Sequence, residues 1–151
     1  MGSSPITPIG IGIGIVVIII LAVIFTSPQP EPKVAKFIQT DITTPNFLDP
    51  QVKAGEYATI TVNVANISAV ETIDNVWIKV YPKVSKNGEF LQVIEKTTIN
   101  VSIAAGGTSG PKDIRVNAIK PPTSTATETI VLELYVGDIL QESKTLSLKI
   151  T

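Results

Sequence analysis

The sequence contains no cysteine and no histidine. These absences exclude disulfides, zinc fingers, iron–sulfur clusters, thiolate nucleophiles and every histidine-based triad or general base. The aspartates and glutamates are scattered among polar turns and alternating segments, and no D-x-D-x-D-G calcium loop occurs. We therefore expect a protein that is not an enzyme and that binds no cofactor, no metal and no small-molecule substrate.

Arginine is scarce, and the two signs of charge almost cancel. Arg115 is the only arginine, which excludes most bidentate recognition of phosphate. The 12 basic and 13 acidic residues give a formal net charge of −1. Such a balance produces no field that would recruit nucleic acid or an anionic lipid surface. Nucleic acid is therefore excluded as a partner.

Charged side chains are absent from the first 30 residues, where Ile9–Phe25 is an almost unbroken aliphatic run. At about 1.5 Å of rise per residue, this run forms about 25 Å of helix, and uncharged flanks extend it to bilayer length. A cleaved signal peptide, the alternative, usually has a basic start and a small-x-small site after its apolar core. Neither is present, so we predict that residues 1–27 form a retained transmembrane anchor.

Glycines interrupt the apolar run. Gly10 and Gly14 form a G-x-x-x-G pair, which allows two helix backbones to approach closely in lipid. They are therefore candidate helix-packing residues, although plain Gly/Ile low complexity is the interpretation we prefer. A dinucleotide fingerprint is excluded because the spacing is wrong and no strand precedes the glycines.

A short proline-rich segment connects the predicted anchor to the rest of the chain. Residues 28–33 have proline at every second position from Pro28 to Pro32, which is typical of a stiff, extended stalk. Its last residue, Lys33, and Lys36 just after it are the basic residues nearest to the span, and the positive-inside rule taken alone would put the C-terminal part in the cytoplasm. The Thr-rich β content and the sequons at Asn66 and Asn100 favour the opposite side. We expect residues 34–151 to lie outside the cytoplasm, with both asparagines as candidate glycosylation sites.

Residues 34–151 show no helical periodicity, and short β-branched segments recur between turn residues. In Tyr57–Asn66, apolar residues at even positions alternate with polar ones, which indicates a half-buried antiparallel strand. Asn87-Gly88 predicts a type I′ hairpin, and Gly137-Asp138 predicts a type II′ turn. With Val34–Thr43 as the first strand, about seven or eight strands follow without helical crossovers. The sequence therefore predicts an all-β, immunoglobulin-like antiparallel sandwich preceded by one transmembrane helix.

Trp77 lies on the third candidate strand, among Val76, Ile78 and Val80. Core packing is the usual role of a lone tryptophan in such a sandwich. Its inward-facing neighbours also allow Trp77 to face outward as a contact residue. The sequence leaves both roles open.

Several segments carry a family resemblance. Val52–Tyr57, Ile60–Asn66 and Val76–Tyr81 resemble CARDB-type domains of archaeal and bacterial surface proteins, and Ala104–Gly107 before Ile114–Val116 is similar to their next turn and strand. The resemblance covers about residues 50–150 and implies an immunoglobulin-like sandwich. An N-terminal hydrophobic helix before a β-sandwich also resembles archaeal type IV pilin-like proteins, including archaellum stator subunits that bind the S-layer. These resemblances imply a location in the cell envelope.

Together these features predict a non-enzymatic, single-pass protein of the cell membrane. Its sandwich would serve adhesion, anchoring or assembly with envelope or surface-layer proteins, or with copies of itself. The alternative is a pilin-like or archaellum-associated filament subunit whose N-terminal helix packs in a helical core. The charged residue and glycine that precede the helix in a pilin signal are missing here.

The glycine pair separates these two functions. If the helix is a tether, replacing Gly10 and Gly14 by Leu should be neutral or aid insertion, because Leu is more apolar and a better helix former. If helices form a filament core, the bulk of two leucines should abolish assembly while the sandwich stays folded. We expect the tether result when native assemblies of the Gly10→Leu, Gly14→Leu variant are sized. Loss of a native high-order assembly would contradict it.

Overall fold

The computed structural model describes residues 33–45, 50–83, 90–120 and 126–151. The chain divides into two units, Met1–Pro32 and Lys33–Thr151, and only the second contains described residues. The predicted anchor, the Gly10–Gly14 pair and the Asn87-Gly88 turn lie outside the described residues. Among the residues that are described, no helix is long and apolar enough to cross a membrane.

The described part of the second unit is built from eight β-strands in two sheets. In chain order the strands are β1 (Ala35–Thr43), β2 (Gln51–Val52), β3 (Tyr57–Asn66), β4 (Ile73–Pro82), β5 (Ile94–Ile103), β6 (Lys112–Asn117), β7 (Ala126–Val136) and β8 (Ile139–Ile150). One sheet has the order β1-β3-β6, and the other has the order β2-β8-β7-β4-β5. Only the short β2 pairs in parallel, with the end of β8. The prediction of an all-β sandwich is confirmed, and the strand order is immunoglobulin-like.

Alternation of side chains explains why these segments pair as they do. Along β3, Ala58, Ile60, Val62 and Val64 are buried, while the residues between them lie half-exposed on the other face. On β4, Val76, Ile78 and Val80 are buried in the same way. Each strand thus contributes one aliphatic face to a core between the two sheets, which is the packing expected of a sandwich. The buried apolar core consists of Ala35, Phe37, Val52, Ala58, Ile60, Val62, Val64, Ile73, Val76, Ile78, Val80, Leu91, Ile99, Ile103, Ile114, Val116, Ala118, Ile130, Leu132, Leu134, Leu148 and Ile150.

The β7–β8 hairpin matches the turn predicted from the sequence. Val136 pairs with Ile139, so that Gly137 and Asp138 form a two-residue loop. Gly137 has a φ of 60°, and Asp138 does not have a positive φ. Positive φ at the first central position alone is the pattern of a type II′ turn, which suits the twist of the paired strands.

A β-bulge next to this hairpin brings a polar side chain into the interior. Leu140 pairs with Tyr135 and Glu142 with Leu134, so Gln141 is an extra residue on β8. Gln141 is only 7% exposed, and its Oε1 accepts hydrogen bonds from the backbone N–H groups of Val34 (2.8 Å) and Ala35 (3.2 Å). Glu142 Oε1 accepts the N–H of Phe37 at 2.7 Å. Two side chains of β8 thus satisfy the donors along the outer edge of β1 and join the two sheets.

We predict that Gln141→Leu destabilises the domain by about 1–3 kcal/mol, because two backbone donors would lose their acceptor. Gln141→Glu keeps an acceptor oxygen at this position, so the domain should lose less stability. The free energy of unfolding of both variants can be measured by denaturant titration. The fluorescence of Trp77, the only tryptophan, reports on unfolding. Equal stability of Gln141→Leu and the native chain would contradict this account of the β1 edge.

Candidate interaction surface

The outer face of the five-stranded sheet carries a cluster of aromatic side chains. Trp77 and Tyr81 alternate with the buried residues of β4, and Tyr135 alternates with the buried leucines of β7. Trp77 pairs with Tyr135 across the strands, and their rings stack with centroids 4.2 Å apart and an interplanar angle of 7°. Trp77 Nε1 donates a hydrogen bond to the carbonyl of Gly137 at 2.7 Å. Of the two orientations that the sequence left open, the structure therefore has Trp77 facing outward.

Charged side chains surround the aromatic rings. The Lys96 ammonium lies 4.9 Å from the centroid of the Trp77 ring, and the Lys79 ammonium lies 5.4 Å from that of Tyr81. Lys79 also forms an ion pair with Glu95 at 3.5 Å. Cations near aromatic faces are attracted by the ring quadrupole, so these lysines are held close to the sheet.

Glu133 connects the two tyrosines of this surface. Its Oε2 accepts a hydrogen bond from the Tyr81 hydroxyl at 2.7 Å, and its Oε1 accepts one from the Tyr135 hydroxyl at 2.8 Å. The hydrogen bond to Glu133, followed by burial and the carboxylate charge, raises the pKa of Tyr81 to about 12. Burial, followed by the hydrogen bond to Glu133, also raises the pKa of Tyr135. Both phenols therefore stay protonated to a higher pH than an ordinary tyrosine, and they act as donors that fix the rings in place.

We call this surface the aromatic face and define it as Trp77, Lys79, Tyr81, Lys96, Glu133 and Tyr135. From the sequence, only Trp77 was a candidate. The alternation of Glu133 and Tyr135 with Leu132 and Leu134 would have shown that these two residues face outward. Their position beside β4 depends on strand order, because β4 and β7 are far apart in the chain.

The outer face of the three-stranded sheet is different in character. Its aromatic residue, Tyr57, lies under the guanidinium of Arg115, with 3.9 Å between the Arg115 Cζ and the ring centroid. The Thr61 hydroxyl donates to Asp113 at 2.7 Å, and the Gln39 amide donates to Asp41 at 2.7 Å. The contacts on the described part of this face are therefore polar pairs and the pair of Tyr57 with Arg115.

The two candidate glycosylation sites have different environments. Asn66 is 2% exposed, and its Nδ2 donates hydrogen bonds to the carbonyls of Glu71 (2.8 Å) and Ile103 (3.0 Å). Asn100 is half-buried, and its Nδ2 donates to the carbonyl of Ser102 at 3.3 Å. A glycan on the buried Nδ2 of Asn66 would remove one of the two hydrogen bonds by which this amide joins the β3–β4 loop to β5, whereas the Nδ2 of Asn100 donates one long bond. Glycosylation at either site stays a prediction.

Acidic groups do not gather into a metal site within the described residues, where no set of three or more acidic side chains is placed to hold an ion. Glu95 instead pairs with Lys79, Asp113 accepts a hydrogen bond from the Thr61 hydroxyl, and Asp41 accepts one from the Gln39 amide.

Comparison with known proteins supports the fold. The sequence matches no protein-family profile and no curated protein. Among solved structures, the C-terminal domain of Wzt is similar, with a TM-score of 0.58 at 13% identity over 83% of each chain. A CARDB domain from Pyrococcus furiosus in complex with di-metal ions has a TM-score of 0.48 at 14% identity, over 83% of this chain and 95% of its own. A Niemann-Pick type C2 protein from the Japanese carpenter ant has a TM-score of 0.48 at 11% identity, over 82% of this chain and 98% of its own. At these identities the likeness to the Wzt domain shows a shared β-sandwich.

The shifted tyrosines lead to a pH prediction. The pKa of Tyr81 in the folded state, about 12, lies above the ordinary value of about 10 that we assign to the unfolded chain. The corresponding stability is therefore fully present below about pH 10 and is lost as the pH rises towards 12. Glu133→Gln removes the carboxylate charge, so the pKa of both phenols should fall and the loss of stability above pH 10 should become smaller.

Absorbance at 295 nm during alkaline titration measures this shift directly. Tyr57→Phe is a useful background, because Tyr81 and Tyr135 are then the only tyrosines. Glu95→Gln is the matched control, since Glu95 pairs with Lys79 and has no hydrogen bond to a phenol. Identical titrations for Glu133→Gln and Glu95→Gln would show that Glu133 does not govern the phenols.

Proposed function

We propose that this protein is a non-enzymatic, membrane-anchored protein of the cell envelope that holds another envelope protein through its aromatic face. The anchor would be residues 1–27, and the sandwich would lie outside the cytoplasm. Binding would be face-to-face contact between the five-stranded sheet and the partner, serving adhesion, anchoring or assembly. Surface-layer proteins and further copies of this chain both belong to the class of partners that we propose.

The observation that carries this proposal is the placement of Trp77, Tyr81 and Tyr135 on an outer face. The core is filled by other residues, so these large rings are not needed to close the sandwich. Tryptophan and tyrosine dominate the binding energy of many protein interfaces, because each gives a large contact area with few rotatable bonds. Hence the position of the rings favours binding over a purely structural role.

The hydrogen bonds of the aromatic face strengthen this interpretation. The Trp77 indole is bonded to Gly137, and both tyrosine hydroxyls are bonded to Glu133. Side chains that are already fixed lose little conformational entropy when a partner binds. Lys79, Lys96 and Glu95 add charges of both signs around the rings, which suits specificity for a polar protein surface.

The anchor is supported by sequence alone. Ile9–Phe25 is uncharged and long enough to reach across most of a hydrocarbon core, and the stalk follows directly. A tethered domain searches a thin layer next to the membrane, which raises its effective concentration towards partners in the same envelope. Weak individual contacts at the aromatic face can then give stable association.

A photo-cross-linking experiment tests the aromatic face. Benzoylphenylalanine in place of Tyr135 in the full chain, in its native membrane, should give a discrete cross-linked product. The matched control places the same group at Tyr57, which is also aromatic and half-buried but lies on the other sheet. Trp77→Ala should remove the Tyr135 product. Equal products from both positions, or a Tyr135 product that persists in Trp77→Ala, would contradict the proposal.

A further inference from the structure

Three side chains form a row across neighbouring strands of the aromatic face. Tyr135 lies on β7, Trp77 on β4 and Lys96 on β5, and β4 is the strand between the other two. The Tyr135 ring stacks on the Trp77 ring with 4.2 Å between their centroids, and the Lys96 ammonium lies 4.9 Å from the centroid of the same indole. Both separations are close to the spacing of about 4.8 Å between neighbouring strands. We call these three residues the ring row.

Both faces of the Trp77 indole are covered within the ring row. Because Tyr135 and Lys96 come from strands on opposite sides of β4, they lie over opposite faces of the indole. The two rings are almost parallel, at 7°, so they stand upright on the sheet. A flat ligand, such as a sugar ring or a nucleobase, would first have to displace Tyr135 or Lys96. The half-buried Trp77 therefore presents the rim of its ring to a partner.

The rim of the ring row is electropositive. An aromatic ring has a negative face and a positive edge, so upright rings direct positive C–H edges outward. The Trp77 N–H is bonded to the carbonyl of Gly137 at 2.7 Å and is not needed by a partner. Lys96 is exposed, and it adds a full positive charge at one end of the row. Attraction to the face of the indole holds this charge beside the rings.

The carboxylates of this region leave the charge of Lys96 uncompensated. Glu133 accepts hydrogen bonds from both phenols, and Glu95 pairs with another lysine at 3.5 Å. Asp74 and Asp138 lie beyond the ring row, at the start of β4 and in the β7–β8 turn. Among the described residues, no carboxylate forms an ion pair with Lys96. Lys96 is therefore the cation of the aromatic face with which a partner's carboxylate can pair.

We infer that the partner docks on the aromatic face through an aspartate or glutamate side chain, which pairs with Lys96 and lies along the rims of Trp77 and Tyr135. This inference rests on the proposed function and narrows its partners to proteins with an acidic surface segment. One carboxylate can meet both the ammonium and the positive ring edges, so the two contacts act on the same group. Both contacts strengthen as water leaves the closing interface.

Zero-length carbodiimide coupling in the native membrane tests the contact with Lys96. The reagent joins an amine to a carboxylate that it already touches, and peptide mass spectrometry identifies the linked residues. We expect Lys96 of the full chain to be joined to an aspartate or glutamate of the protein that benzoylphenylalanine captures at position 135. Lys96→Arg should lose the carbodiimide product, because a guanidinium keeps the charge but is not coupled by this reagent.

Charge reversal measures the contribution of the cation. Lys96→Glu should lower the yield of the product at position 135 by about tenfold, because repulsion replaces an ion pair. Lys96→Gln should give an intermediate yield, and Lys96→Arg should retain more of the yield than Lys96→Gln. Lys36→Glu is the matched control, since Lys36 is also an exposed lysine on a strand but belongs to the other sheet. Circular dichroism checks that the sandwich of each variant is folded.

The outcomes distinguish this inference from the proposed function. Absence of any product at position 135 would overturn the proposed function, and the inference with it. A product at position 135 without a carboxylate linked to Lys96 would overturn the inference alone. Equal yields from Lys96→Glu and Lys36→Glu would also overturn it, because the rings would then hold the partner without help from the cation.

Discussion

The antiparallel register between β4 and β7 determines both the core and the aromatic face. Val76, Ile78 and Val80 pair with Val136, Leu134 and Leu132, and these residues point into the sandwich. The same register places Trp77 opposite Tyr135 and Lys79 opposite Glu133 on the outer side. Because side chains alternate with a period of two, a slip by one residue would turn the aromatic rings inward and the valines to water. Burial of the aliphatic face therefore also fixes the geometry of the outer surface.

The bulge at Gln141 allows side chains of β8 to cover one edge of the three-stranded sheet. β1 ends that sheet, and an unpaired edge exposes donors and acceptors to other chains. By adding one residue to β8, the bulge turns Gln141 inward and lets Gln141 and Glu142 bind the N–H groups of β1. The first strand of the domain is thereby attached to both sheets.

Local patterns predicted much of this fold. The alternation in β3 and β4 and the turn at Gly137-Asp138 follow from residues that are adjacent in the chain, whereas the short parallel strand β2 was not predicted. The stacking of Trp77 on Tyr135 could not be predicted in this way, because it depends on which strands become neighbours. The same holds for Gln141, whose burial results from a bulge that its apolar and charged neighbours do not reveal. Asn66 was predicted as a sequon, and only the structure shows that its amide joins the β3–β4 loop to β5.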